Sequence, residues 1–187
     1  MKKLNVGAAS VLALAMAAGL VLASEALVSG PQVGSKVPGP FEPLNVNGPK
    51  AGEKSCLYCR NGTNPVVMIF AREKSEPLTT LIKKVDAATA EHQDAHMGSF
   101  VVFLSDSKEL PDQLKEFADK EALKQCVLSV HQPEGPKAYK ISPEADVTVV
   151  LYTNHEVKAN YAFPKGGLKE QDIDRVLGDV SKILPQG

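Results

Sequence analysis

Tryptophan is absent from this 187-residue chain, and aromatic residues make up only 5% of it. A stacking platform for bases or sugars needs several exposed rings, so that class of site is not expected. Neither sign of charge is in excess: 21 basic against 22 acidic side chains leave a net charge of −1. The charges are interspersed, so nothing recruits nucleic acid, and no nucleic-acid partner is expected. Cysteine is scarce, at three residues. An odd, small number excludes a fully paired disulfide framework. Internal repeats and low-complexity segments are also missing. What remains is a 43% hydrophobic composition, enough for the core of one globular domain.

The amino terminus reads as a secretory signal peptide over residues 1–26. Lys2 and Lys3 give a positive start, Val6 to Leu22 is apolar, and Ala23-Ser24-Glu25-Ala26 offers small residues for cleavage. The alternative is an uncleaved anchor, although the stretch is short of the roughly 20 residues a spanning helix needs. Either way the rest of the chain is expected outside the cytoplasm, periplasmic or extracellular, with no membrane contact once the signal is removed. Disulfides persist there.

Residues 27–64 form a Pro/Gly-rich leader, marked by Gly30-Pro31, Pro38-Gly39-Pro40 and Gly48-Pro49. It reads as lying outside the core, with one short edge strand within Phe41 to Val46. Residues 65–187 then alternate regularly. Val66 to Ala71, Phe100 to Leu104 and Val147 to Tyr152 are near-continuous apolar runs, as in strands buried on both faces. Leu78, Leu81, Ile82 and Val85 make a helical stripe, started by Ser75 ahead of Pro77. Leu110, Leu114, Phe117 and Ala118 make a second. Cys126 to Val130 is a short strand in which Cys126 reads as a small buried hydrophobe. Asn154-His155 turns a hairpin into Val157 to Phe163, and Ile173 to Leu184 is an amphipathic helix ending before Pro185. Strands separated by helices pair in parallel, and the hairpin adds antiparallel strands, so a mixed sheet with helices on both faces is expected.

This order resembles the thioredoxin-like fold, in its redoxin branch of alkyl hydroperoxide reductase and thiol-specific antioxidant proteins. Val33-Gly34-Ser35-Lys36-Val37-Pro38-Gly39-Pro40-Phe41 is similar to the branch's opening motif, and Ala138-Tyr139-Lys140-Ile141 to a later turn. The resemblance implies an α/β fold: a thioredoxin-like three-layer α/β/α sandwich around a mixed central sheet. The chain departs from the family at two places. The family's nucleophilic cysteine would fall within Arg72 to Pro77, where there is none. Its cis-proline would stand just before Val147, where this chain has Asp146 and where Pro143 is too early. No catalytic residue carries over.

The cysteines instead stand ahead of the first long strand, as Cys56-Leu57-Tyr58-Cys59. Three readings stay open. One is a thiol–disulfide exchange pair serving a protein thiol or disulfide partner. Attack would come from the more exposed cysteine, taken as Cys56 by the family's first-cysteine rule. Lys54 and Arg60 flank the pair, but the following Asn61 to Pro65 reads as a loop, which offers no helix dipole. The second is a static disulfide pinning the leader to the sheet, in a non-enzymatic module that binds a partner. The third is a zinc site. His92 and His96, at i and i+4, end the helix at the sheet edge where Cys56 and Cys59 precede the strand, and Cys2His2 suits zinc. No other cofactor is expected. Arg72 to Glu76 reads as a solvated charged turn, and Asn61-Gly62-Thr63 as an ordinary turn more than a glycosylation site.

Overall fold

The computed structural model describes residues 27–185, so the signal segment expected over 1–26 lies outside the described residues. Six strands are β1 (Leu44–Asn45), β2 (Val66–Ala71), β3 (Gly98–Leu104), β4 (Cys126–His131), β5 (Val147–Thr153) and β6 (Glu156–Phe163). Four helices are α1 (Leu57–Asn61), α2 (Glu76–Glu91), α3 (Leu110–Lys120) and α4 (Glu170–Gly178). The sheet order is β1-β4-β3-β2-β5-β6. β2, β3 and β4 run parallel, while β1, β5 and β6 pair antiparallel to their neighbours. The mixed sheet follows from the connections: helical crossovers join the parallel strands, and the two-residue Asn154-His155 turn joins β5 to β6. Both turn residues have positive φ, 51° and 61°, as a tight hairpin turn requires.

Pleating divides the strand residues between two clusters. Val67, Ile69, Val101, Phe103, Leu128, Val149 and Leu151 face one side, with Leu78, Leu81 and Val85 of α2, Leu114 of α3 and Ile173 and Val176 of α4. Ser75 starts α2 as its cap, its hydroxyl accepting from the Leu78 N–H at 3.3 Å. Asp86 of α2 reaches across to β4, where one carboxylate oxygen accepts the N–H groups of Lys124, Gln125 and Cys126 at 2.7–3.0 Å. Met68, Phe70, Phe100, Val102, Val150 and Tyr152 face the other side.

That second side differs from the expectation in its cover. The three long helices all pack on the first face: right-handed crossovers between β2, β3 and β4 place α2 and α3 there, and α4 joins them through Ile173 and Val176. The opposite layer is thin: α1, a 3-10 turn at Lys137–Tyr139, and the leader itself. The leader is therefore part of the core. Val37 and Val46 are buried, Phe41 packs against Phe70 and Tyr139, and Tyr139 donates to the Gly39 carbonyl at 2.6 Å. Each fully buried aliphatic or aromatic side chain contributes about 1.5–3 kcal/mol, enough to order a segment with only two residues in the sheet. The last helix also ends earlier than its apolar pattern suggests. α4 stops at Gly178, and a 3-10 turn over Asp179–Lys182 carries Val180 into the core.

Candidate redox site at the amino-terminal sheet edge

Cys56 and Cys59 form a disulfide, with Cα atoms 5.2 Å apart. The segment after Cys56 is helical rather than a loop: Leu57–Asn61 makes one turn, α1, too short for any apolar periodicity to announce it. Leu57 is the anchor, buried against the second sheet face. Cys56 is the helix cap. Its Sγ accepts the Cys59 N–H at 3.0 Å, a contact that favours a thiolate over a thiol. Cys59 is exposed and Cys56 only partly so, which reverses the accessibility expected from the first-cysteine rule. Gly62 ends α1 with φ 54°, its N–H bonded to the Tyr58 carbonyl.

Aromatic packing holds the outer side of the turn. The Tyr58 ring lies 5.0 Å from His155 and 6.2 Å from Tyr152. Tyr152 is fully buried and its hydroxyl has no partner; burial, then the neighbouring Tyr139 and Tyr58, push its ionisation well above the ordinary phenol range. On the inner side, Asn61 donates from Nδ2 to the Leu57 carbonyl at 2.8 Å. Its Oδ1 stands only 1.9 Å from where a Cβ on Gly98 would be, so the start of β3 must be glycine for Asn61 to sit there. The sequence offered no signal for this pairing beyond a glycine at a strand start. The inward turn of Asn61 also uses the side chain that a glycosylation acceptor would have to present.

A cavity of about 410 Å³ opens beside α1. Leu57, Arg60, Asn61 and Asn64 form one wall, His96, Met97 and Gly98 another, with Thr89 and Ser99 also lining it. The edge geometry expected for Cys56, Cys59 and the end of α2 is thus present, but the four candidate zinc ligands do not assemble. His92 caps the end of α2, His96 lies at the cavity, and the two sulfurs are bonded to each other. Among the described residues no group of three or more His, Cys, Asp or Glu side chains could hold a metal ion. Cys126, the third cysteine, is fully buried in β4, and burial pushes its thiol up to about 12.

Solved structures share this architecture. One is a candidate protein disulfide isomerase from Bacteroides thetaiotaomicron, with a TM-score of 0.65 and 11% identity over 86% of this chain and 96% of that one. Another is a candidate thiol:disulfide interchange protein DsbE from Chlorobium tepidum (TM-score 0.61, 15% identity, 86% and 100% covered). A third is the reduced 2-Cys peroxiredoxin of Plasmodium vivax (TM-score 0.58, 18% identity, 80% and 96% covered). The fold is thioredoxin-like. No protein-family model matches the sequence. No curated protein matches it either.

In a thioredoxin-like domain the reactive cysteine follows the first central strand, at the opposite edge of the sheet. Here that stretch is Arg72 to Pro77, and at its start all three guanidinium nitrogens of Arg72 are engaged. Nε donates to the Ala145 carbonyl at 3.1 Å, Nη1 to Pro133 at 2.8 Å and Nη2 to Ser142 at 3.2 Å. Arg72 is a clasp tying together the two segments that flank the Lys137–Tyr139 turn. Beside it Glu73 pairs with Lys165 at 2.7 Å on the surface. Asp146, just before β5, has its carboxyl raised by burial and then by the Glu73 charge.

Proposed function

We propose that this protein exchanges disulfides with protein thiols through Cys56 and Cys59. The observation that carries the reading is the locality of the bond. Both cysteines belong to one helical turn, three residues apart, so the disulfide cross-links neither the leader to the sheet nor one element to another. In the chain-entropy picture so small a ring stabilises by only about 2 kcal/mol, near the low end of the range for disulfides. A staple has little to hold here, whereas an exposed sulfur beside a capped one suits exchange.

The chemistry runs as follows. A partner thiolate attacks the exposed Sγ of Cys59. A mixed disulfide forms, the Cys56–Cys59 bond breaks, and the electron pair leaves on Cys56 Sγ, where the Cys59 N–H stabilises it. The partner's second thiolate then attacks its own sulfur in the mixed disulfide and releases Cys59. Two electrons pass to the Cys56–Cys59 pair, and the partner dithiol becomes a disulfide. Run backwards, Cys56 resolves the mixed disulfide carried by Cys59. The signal-like amino terminus supports a setting outside the cytoplasm, where such a pair finds protein thiols to act on.

The deciding measurement is equilibration of the pair against dithiothreitol and glutathione buffers. A potential above roughly −300 mV is expected; one below it would mark a structural bond. Cys59→Ser should abolish exchange with a reduced peptide dithiol, and Cys56→Ser, offered the oxidised peptide disulfide, should trap the mixed disulfide on Cys59. Wild-type rates in both variants would sink the reading.

A further inference from the structure

The cavity beside α1 has a composition that its neighbours in the fold do not explain. Its lining contains a cation, Arg60, and the imidazole of His96, with the amides of Asn61, Asn64, Gln93 and Gln125, and no Asp or Glu. Arg60 directly follows Cys59 in the chain, and it also lines a second cavity of about 310 Å³ that shares Gln125 and Val127 and adds Lys124 and one acid, Asp119. The guanidinium takes no part in the ion pairs of the described residues, which join Lys50, Lys83, Lys84, Lys158, Lys165, Arg175 and Lys182 to their acids. The exposed acids at this end of α2, Glu91 and Asp94, line neither cavity. The imidazole is placed at the rim by a left-handed backbone, φ 54°, a conformation in which glycine or asparagine would be less strained. Met97 and Val127 supply apolar wall, and the volume lies within the range of small-ligand sites.

We propose that this cavity binds the carboxylate of a thiol presented to the disulfide, so that carboxylate-bearing thiols are the preferred exchange partners. A guanidinium grips a carboxylate through two parallel N–H donors, and the surrounding amides complete the acceptor's remaining lone pairs. The proposal rests on the exchange reading and names the substrate class of that same site. The carboxylate can belong to a free thiol such as glutathione or to an acidic residue flanking a cysteine in a protein.

The test uses a ligand that cannot exchange. S-methylglutathione is titrated into the oxidised full-length protein while backbone amide resonances are followed. Saturable shifts are expected at Arg60 to Asn64 and at Gln93 to Ser99. The dimethyl ester of the same compound should bind at least tenfold more weakly. Arg60→Ala should weaken the acid to the same degree, and Arg60→Lys should recover part of the loss. Absence of saturable shifts, or equal binding of acid and ester, overturns the proposal. An S-methylcysteine peptide flanked by glutamate separates the two sources: tighter binding than the tripeptide assigns a protein partner, weaker binding a free thiol. Because no sulfur reacts, failure of the exchange reading would show only in the equilibration with thiol buffers, and failure of this proposal only here.

Discussion

The two edges of the central sheet carry opposite kinds of polar group. At the carboxy-terminal edge of the parallel strands, where thioredoxin-like proteins keep their reactive cysteine, each guanidinium nitrogen of Arg72 donates to a backbone carbonyl. At the amino-terminal edge, a disulfide sits on a single helical turn beside a polar cavity and Arg60, which joins none of the ion pairs among the described residues. One edge uses its arginine to hold its own loops together. The other presents an arginine and a disulfide sulfur toward solvent. The difference teaches that both edges of one rigid sheet collect loop residues, so the cysteines of a thioredoxin-like scaffold can stand at the edge opposite its usual site.

The comparison can be broken first at the cysteines. If reactivity belongs to the exposed turn and not to the sheet as a whole, Cys126 should be inert in the folded protein. Its thiol is raised from 9.0 to about 12, which at neutral pH means about a thousandfold less thiolate. Alkylation of the native protein after mild reduction should label Cys56 and Cys59 and leave Cys126 untouched until the protein is unfolded. Mass spectrometry of the alkylated peptides checks this.

A second way is to remove the clasp. Arg72→Ala deletes three hydrogen bonds from a charged donor to carbonyls of the two segments that flank the Lys137–Tyr139 turn, and should lower stability by about 2–3 kcal/mol in urea unfolding. Exchange at Cys56–Cys59, measured on the folded fraction, should stay at the wild-type rate. A large drop there would mean that the two edges are coupled and the contrast is false.

The smallest effect concerns the cysteine-bearing edge. Gly98→Ala places a Cβ against Asn61 Oδ1, and the side chain has to swing away, breaking its bond to the Leu57 carbonyl. The expected loss of stability is about 1 kcal/mol, because a flexible amide can move. The exchange rate should change by more than that loss explains, since α1 carries Cys59 and is capped by Cys56. A rate unchanged within error would show that Asn61 does not position the turn.

Much of the fold was legible in the chain. Val66–Ala71, Phe100–Leu104 and Val147–Tyr152 read as buried strands because strands covered on both faces leave no polar alternation. α2 read as a helix because its stripe and its Ser75 cap agree. The site was less legible. Cys56 and Cys59 were visible as a pair, but α1 was not, because five residues hold no period. Nor was the role of the leader, whose prolines and glycines suggest a linker although Val37, Phe41 and Val46 pack into the core. Arg60 was visible only as a flanking charge, and nothing local joined it to Gln93 or His96, which follow the end of α2 far along the chain.

By itself, then, the sequence determined the order of strands and helices, the mixed sheet, the loss of cysteine from the usual turn and the presence of an adjacent cysteine pair. Those are properties of local pattern and spacing, which short stretches of chain express directly. Only the tertiary structure decided that Cys56 caps a helix with Cys59 more exposed, that Arg72 is held by the segments on both sides of the Lys137–Tyr139 turn, and that Arg60 and His96 line one cavity without an acid. Each depends on which residues distant in the chain the sheet brings together, and that is set by packing of the whole core.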